Sequence, residues 1–215
     1  MSYHLVLASA SPRRQQFLRD LGLNVQLLPA DIDETPLSLE APRQLAWRLA
    51  AAKARASAAR LGQLGSPALV IAADTVVALG DQVLGKPADA AEAFAMLATL
   101  RGRVHEVHSG VSLYEPGRDV QRTRVNTTRV EMRAYSDAEI AAYIATGDPF
   151  DKAGAYAIQH RLFAPVAAVQ GCISGVIGLP LADLRDLLAS FGVTLPQPVL
   201  AVCQTQTDFP CCQAV

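Results

Sequence analysis

The 215-residue sequence lacks any hydrophobic run long enough to cross a bilayer. Its most apolar stretch, residues 170–181, is broken by Gly171, Gly175, Gly178 and Pro180, whereas a helical span needs about 20 consecutive apolar residues. Nor is a leader expected: the run from Leu5 to Ala8 is short, and Arg13-Arg14 follows it instead of preceding it. Charge of one sign is not in excess, with 19 basic and 20 acidic residues. That balance excludes the electrostatic footprint of a nucleic-acid binder, although a small anion needs only a few local positive charges. Cysteine is sparse: Cys172 lies in the body, and Cys203, Cys211 and Cys212 lie near the end. This is not the layout of a disulfide framework. Vicinal Cys211-Cys212 leaves a metal or redox pair open, against the plainer reading of a dispensable tail. Several motifs are also absent, namely a Walker loop, a G-x-G-x-x-G turn and a G-x-S-x-G elbow. His105 and His108 are separated by two residues, not the three of a zincin helix, and on a strand they face opposite sides. The expectation is a soluble cytoplasmic protein with no nucleic-acid or membrane partner.

What remains is a globular composition, 51% hydrophobic and 18% charged, with enough chain to bury a core. His4–Ala8 reads as a short strand and Ser11-Pro12 as a helix start, with Gly22 closing the helix. Residues 23–29 suggest a strand and 31–36 a polar loop. Leu45, Leu49 and Ala52 mark the apolar face of a long helix from Pro42 to Leu61. Ala68–Leu79, apolar and β-branched apart from Asp74 and Thr75, predicts a central buried strand. Asp89 with Glu92, and Ser136 with Glu139, are spaced as capping boxes. Val104–Tyr114 and Val120–Met132 predict a strand pair, 155–169 is expected to contain further strand, and Pro180 to Gly192 predicts a final amphipathic helix. The alternation implies an α/β fold. Residues 194–215 show no periodicity and are expected to be irregular beyond a domain spanning 1–193.

Five clusters carry chemistry. Ser9-Ala10-Ser11-Pro12-Arg13-Arg14 puts two hydroxyls and two arginines at a helix N-terminus; it is either an anion site or an ordinary cap with solvated arginines. Asp31-Ile32-Asp33-Glu34 is either a divalent-cation loop or a solvated one, the latter being the default. Lys53 is a lysine among alanines, able to reach a phosphate or merely to coat a surface. Asp74 is costly inside an apolar strand unless it is paired or metal-bound; with Thr75 it favours function over a structural ion pair. Lys86 in Gly85-Lys86-Pro87, and the polar groups of 151–159, complete the set. The Gln159 amide both donates and accepts, as reading a base edge requires.

Together, LASASPRR, Asp33-Glu34, LAxxKA around Lys53, AADTVV, GKP at 85–87, DKAGAYAIQ and GLPL occur in one order. In this the chain resembles the Maf family over residues 4–193. The resemblance implies a fold similar to that of inosine triphosphate pyrophosphatases: a twisted mixed sheet with flanking helices and two lobes around a cleft. It also implies hydrolysis of a nucleoside triphosphate to monophosphate and pyrophosphate, a divalent metal (Mg²⁺ or Mn²⁺) and a homodimer. Asp74 matches the proton acceptor, and Glu34, Lys53 and Lys86 match other active-site positions. Glu34 and Asp74 would hold the metal, and Ser9, Arg13, Arg14, Thr75 and Gln159 would contact substrate. Arg13, Thr75 and Gln159 agree with the branch that hydrolyses dTTP and UTP. Glu34-Thr35-Pro36 and Pro42-Arg43-Gln44-Leu45 look more like the 7-methyl-GTP branch. His160 stands where glycine is common, and Gly171-Cys172-Ile173-Ser174-Gly175 replaces a Gly-Ser-Tyr-x-Asn pattern. The rival readings are a 7-methyl-GTP pyrophosphatase, a non-catalytic nucleotide-binding regulator of cell division, a nucleotidyltransferase, and a house-cleaning enzyme for modified pyrimidine triphosphates.

Overall fold

A computed structural model describes residues 3–62 and 67–210. The strands are β1 (His4–Leu7), β2 (Gln26–Leu27), β3 (Ala68–Leu79), β4 (Gln82–Leu84), β5 (Val104–Glu115), β6 (Val120–Met132) and β7 (Val166–Gln170). The helices are α1 (Pro12–Asp20), α2 (Pro42–Ala58), α3 (Ala90–Leu100), α4 (Asp137–Ile144), α5 (Ile173–Ile177), α6 (Leu181–Ser190) and α7 (Val199–Gln204). All seven strands form one mixed sheet in the order β2-β1-β3-β5-β6-β7, with β4 also on β3. β1 lies parallel to both β2 and β3, and the remaining pairings are antiparallel.

The topology opens a gap along β3. β1 pairs with residues 68–71 and β4 with residues 77–79, so the edge of 72–76 on that side carries no strand. On its other side β3 is paired continuously with β5 from Val70 to Ala78. The middle of β3 is thus rigid yet approachable, as a site on a strand must be.

β3 is buried on both faces, which is why its sequence is nearly continuously apolar. Val70, Ala72 and Val76 pack with α2 residues, while Leu69, Ile71, Ala73 and Val77 join the main core with Phe17, Leu18 and Leu21. The period-two alternation sends Asp74 toward α2 and Thr75 toward α1. Helix α2 buries Leu45, Leu49, Lys53 and Ser57 on one stripe, the four-residue spacing of a helical face. Gly110 on β5, directly opposite Asp74, lets α2 lie close. A Cβ there would collide with the Ala46 backbone carbonyl.

Several expectations are corrected. Ser11 precedes α1 but makes no side-chain cap; Pro12 at the first position starts the helix. Asp89 caps α3 through Glu92 N, but Glu92 accepts from Ala88 N, so the box is not reciprocal there; Ser136–Glu139 is a full box. The strand expected within 155–169 is β7, at its end; residues 153–164 before it turn through left-handed Gly154, Ala155 and Ala164. β2 keeps only two residues. The segment after 193 is not wholly irregular: α7 forms there, with Val199, Val202 and Cys203 in the main core. Its apolar residues are too few to show a period but enough to dock. The Cys211-Cys212 pair lies outside the described residues. Among the described residues, no helix is long and apolar enough to cross a membrane.

Candidate active site

The gap beside β3 opens into a cleft of about 700 Å³. Ser9, Arg13, Arg14, Glu34, Lys53, Asp74, Thr75, Lys86 and Gln159, singled out on separate stretches of sequence, all line it. The chain's only lysines, Lys53, Lys86 and Lys152, are all among the lining residues. Such a concentration of positive charge in one concave site focuses its field on an anion.

At the floor, Lys53 Nζ lies 2.6 Å from Asp74 Oδ1 and 2.8 Å from Glu34 Oε1. Lys53 and Asp74 are almost fully buried, whereas the Glu34 side chain is 58% exposed on its loop. A buried carboxylate without a counter-charge would be strongly unfavourable, and the Lys53 ammonium supplies that counter-charge. Asp74 Oδ2 has no hydrogen-bond partner among the described residues. Asp33 faces away from this chemistry: its Oδ1 accepts from Thr35 N at 2.9 Å and shapes the loop. Among the described residues no three His, Cys, Asp or Glu side chains cluster as a metal cage. Two carboxylates converging on one cationic atom remain, the donor set with which Mg²⁺ sites are completed by substrate phosphates.

Arg14 crosses from α1 beneath β3. Its Nε donates to the Gly178 carbonyl at 2.8 Å, Nη1 to Ser9 Oγ at 3.3 Å and Nη2 to Thr75 Oγ1 at 3.3 Å. Burial lowers its pKa below the ordinary guanidinium value, and the attraction of Asp74 opposes that shift. A planar fork spanning three acceptors is a task lysine cannot perform. Gly178, at φ 135°, adopts a conformation open to glycine that turns its carbonyl to Arg14.

Across the cleft, Arg13 Nη1 bonds Asp151 Oδ2 at 3.0 Å. Lys152 Nζ contacts Asp151 Oδ1 at 2.6 Å and Asp148 Oδ1 at 2.9 Å. Burial alone would raise the Asp151 carboxyl, but the bonds from Lys152 and Arg13 outweigh it and hold its pKa low. Lys86 is exposed and has no ion-pair partner among the described residues. Gln159 donates from Nε2 to Gln206 Oε1 at 2.9 Å.

Sequence reasoning left out five contributors. Lys152 and Asp151 were visible only as polar residues, since nothing local predicts their pairing with Arg13. Gly110 and Gly178 act through backbone position. Gln206 lies in a segment with no pattern. The two histidines set aside earlier are structural: His105 Nε2 meets Tyr156 Oη at 2.8 Å, and His108 Nδ1 meets Thr127 Oγ1 at 3.0 Å.

The chain is similar to known proteins over most of its length. A protein from Myxococcus xanthus called dTTP/UTP pyrophosphatase is 50% identical over 192 residues, 89% of this chain and 94% of that one. Proteins of the same name from Pelotomaculum thermopropionicum and Cereibacter sphaeroides are 45% and 47% identical, over 87% and 89% of this chain and 96% of each relative. The family model described as Maf-like protein matches residues 4–191, and the chain therefore belongs to the Maf family.

Proposed function

We propose that the protein hydrolyses dTTP and UTP to the nucleoside monophosphate and pyrophosphate. The observation that carries this reading is the buried Asp74 carboxylate, linked through Lys53 to Glu34 in a cleft lined by all of the chain's lysines. The names and high coverage of the relatives support the same substrate class.

A triphosphate is highly charged, so positioning and charge neutralisation dominate its hydrolysis. Arg13, Arg14, Lys53 and Lys86 hold the phosphates, with Ser9 beside Arg14 at the start of α1. Asp74 Oδ2 orients the attacking water and takes its proton, a general-base contribution of about 10²–10⁴-fold. Bond breaking between the α- and β-phosphates leaves charge on pyrophosphate, which the lysines neutralise. Glu34 and Asp74 would hold a divalent cation, Mg²⁺ or Mn²⁺, together with phosphate oxygens, and the bound ion supplies polarisation of the phosphoryl group. Thr75 and Gln159 read the base. A cytoplasmic homodimer is the setting we propose, and sedimentation of the purified protein tests the dimer.

The primary test incubates the protein with Mg²⁺ and, separately, dTTP, UTP, CTP, GTP and 7-methyl-GTP, measuring monophosphate and pyrophosphate together. Equal yields of both products from dTTP and UTP are expected. Turnover of 7-methyl-GTP alone would overturn the base assignment, and no turnover of any triphosphate, with Mn²⁺ also tried, would overturn the hydrolase reading.

A further inference from the structure

Gln159 can read a base only if its amide is held one way round. A free amide flips, exchanging its donor and acceptor ends. Uracil and thymine present a donor, N3–H, beside a carbonyl acceptor; cytosine presents an acceptor, N3, beside an amino donor. An amide that accepts from N3–H and donates to O4 is matched to the first pair, and its flipped form to the second.

The C-terminal segment supplies a chain of hydrogen bonds with only one possible polarity. It starts at the Val202 carbonyl in α7, which can only accept. The Thr205 hydroxyl donates to that carbonyl at 2.8 Å, so its oxygen is left to accept. Gln206 Nε2 donates to Thr205 Oγ1 at 3.1 Å, which turns Gln206 Oε1 toward Gln159. Gln159 Nε2 then donates to it at 2.9 Å. Each link fixes the next, and Gln159 Oε1 is left without a partner among the described residues. The anchor is firm, because Val202 and Cys203 are buried in the main core and Pro196 packs against Gly22. A hollow of about 490 Å³ adjoins the cleft through Ile158 and Gln159 and is walled on its far side by residues 204–209. These residues lie beyond the stretch matched to the family, 4–191.

We infer that Gln206, oriented by Thr205, is a positioning residue that sets the amide polarity of Gln159 and so favours uracil and thymine triphosphates over CTP. The inference rests on the proposed hydrolysis. It predicts that base preference follows the hydrogen-bonding sense of residue 206, not merely its size.

The test measures kcat/KM for UTP and CTP in the full chain and in Gln206→Glu, Gln206→Lys, Gln206→Leu and Thr205→Val, with a thermal melt for each. Glutamate can only accept, so Gln206→Glu should keep the UTP/CTP ratio within about twofold. Lysine can only donate, so Gln206→Lys should lower the ratio by about tenfold or more, mainly by raising CTP turnover. Gln206→Leu and Thr205→Val, which free the amide, should fall between. Folded Gln206→Lys and Gln206→Leu with the wild-type ratio would overturn the inference while leaving the hydrolase reading intact. A wild type that turns over UTP and CTP equally would do the same. A wild type with no UTP turnover would overturn both.

Discussion

Replacing Asp74 by Asn isolates the charge at the centre of the cleft. The amide keeps the carboxylate's shape, and the β3 backbone that carries it remains paired to β5 on one side. What disappears is the negative charge 2.6 Å from Lys53 Nζ. Breaking a buried pair by removing one partner costs about 3–5 kcal/mol when the surviving charge is stranded. Lys53 is not stranded, because Glu34 Oε1 lies 2.8 Å away on an exposed loop. The stability loss should therefore be smaller, about 1.5–3 kcal/mol, comparable to one charged hydrogen bond. The catalytic loss should be far larger. An amide cannot take a proton from water, so kcat should fall by about 10²–10⁴-fold. Removing one of the two carboxylates proposed to hold the cation should also raise the Mg²⁺ concentration needed for half-maximal rate. Initial rates of pyrophosphate release from UTP across a Mg²⁺ series, with circular dichroism melts alongside, separate the two effects. A folded Asp74→Asn enzyme retaining turnover within about tenfold of wild type would refute the general-base assignment.

Other perturbations follow from the same geometry. Gly110→Ala places a methyl against the Ala46 carbonyl, pushes α2 outward and shifts Lys53; a stability loss of about 1–3 kcal/mol in a urea melt, together with reduced turnover, is expected. Arg14→Lys cannot bridge Gly178, Ser9 and Thr75 together, and its kcat/KM for UTP should drop about 10–100-fold in steady-state assays. Burial pushes the His105 pKa from 6.5 to about 4. Because the folded value is depressed, the unfolded chain takes up the proton first as pH falls. Stability from the neutral ring is complete above pH 6.5 and is lost progressively toward pH 4, by about 3 kcal/mol in all. Denaturant melts at pH 7 and pH 4.5 should show this drop in wild type and a smaller one in His105→Phe. Chelation of divalent ions should abolish pyrophosphate release, and added Mg²⁺ or Mn²⁺ should restore it.

The long elements could be read because their residues agree with themselves at short range. β3 runs from Ala68 to Leu79 as its apolar, β-branched sequence predicts. α2 begins at Pro42 as expected, and Ser136–Glu139 signals its own helix through contacts three residues apart. Elements held by distant partners were not readable. α7 is six residues long, too short to be stable alone, and exists because Val199, Val202 and Cys203 find the core. The strand expected within 155–169 is β7, and the left-handed turns before it could not be read, because alanine and isoleucine give no hint of left-handed backbone.

For the site, sequence alone determined the cast and the chemical logic. A carboxylate interrupting a buried strand, lysines and arginines on flanking segments and an ordered series of motifs pointed to an anionic ligand and to a role for Asp74. Residue types and short spacings carry that information because they depend on local chemistry and on the period of the backbone. Only the tertiary structure decided who meets whom. It aligned Asp74 with Lys53 through the pleat of β3 and the face of α2, it joined Arg13 to Asp151 across 138 residues, and it brought Gln206 to Gln159 across 47. Such pairings depend on sheet order, register and close approach, which are set by the packing of the whole core and leave no mark on the residues beside them in the chain.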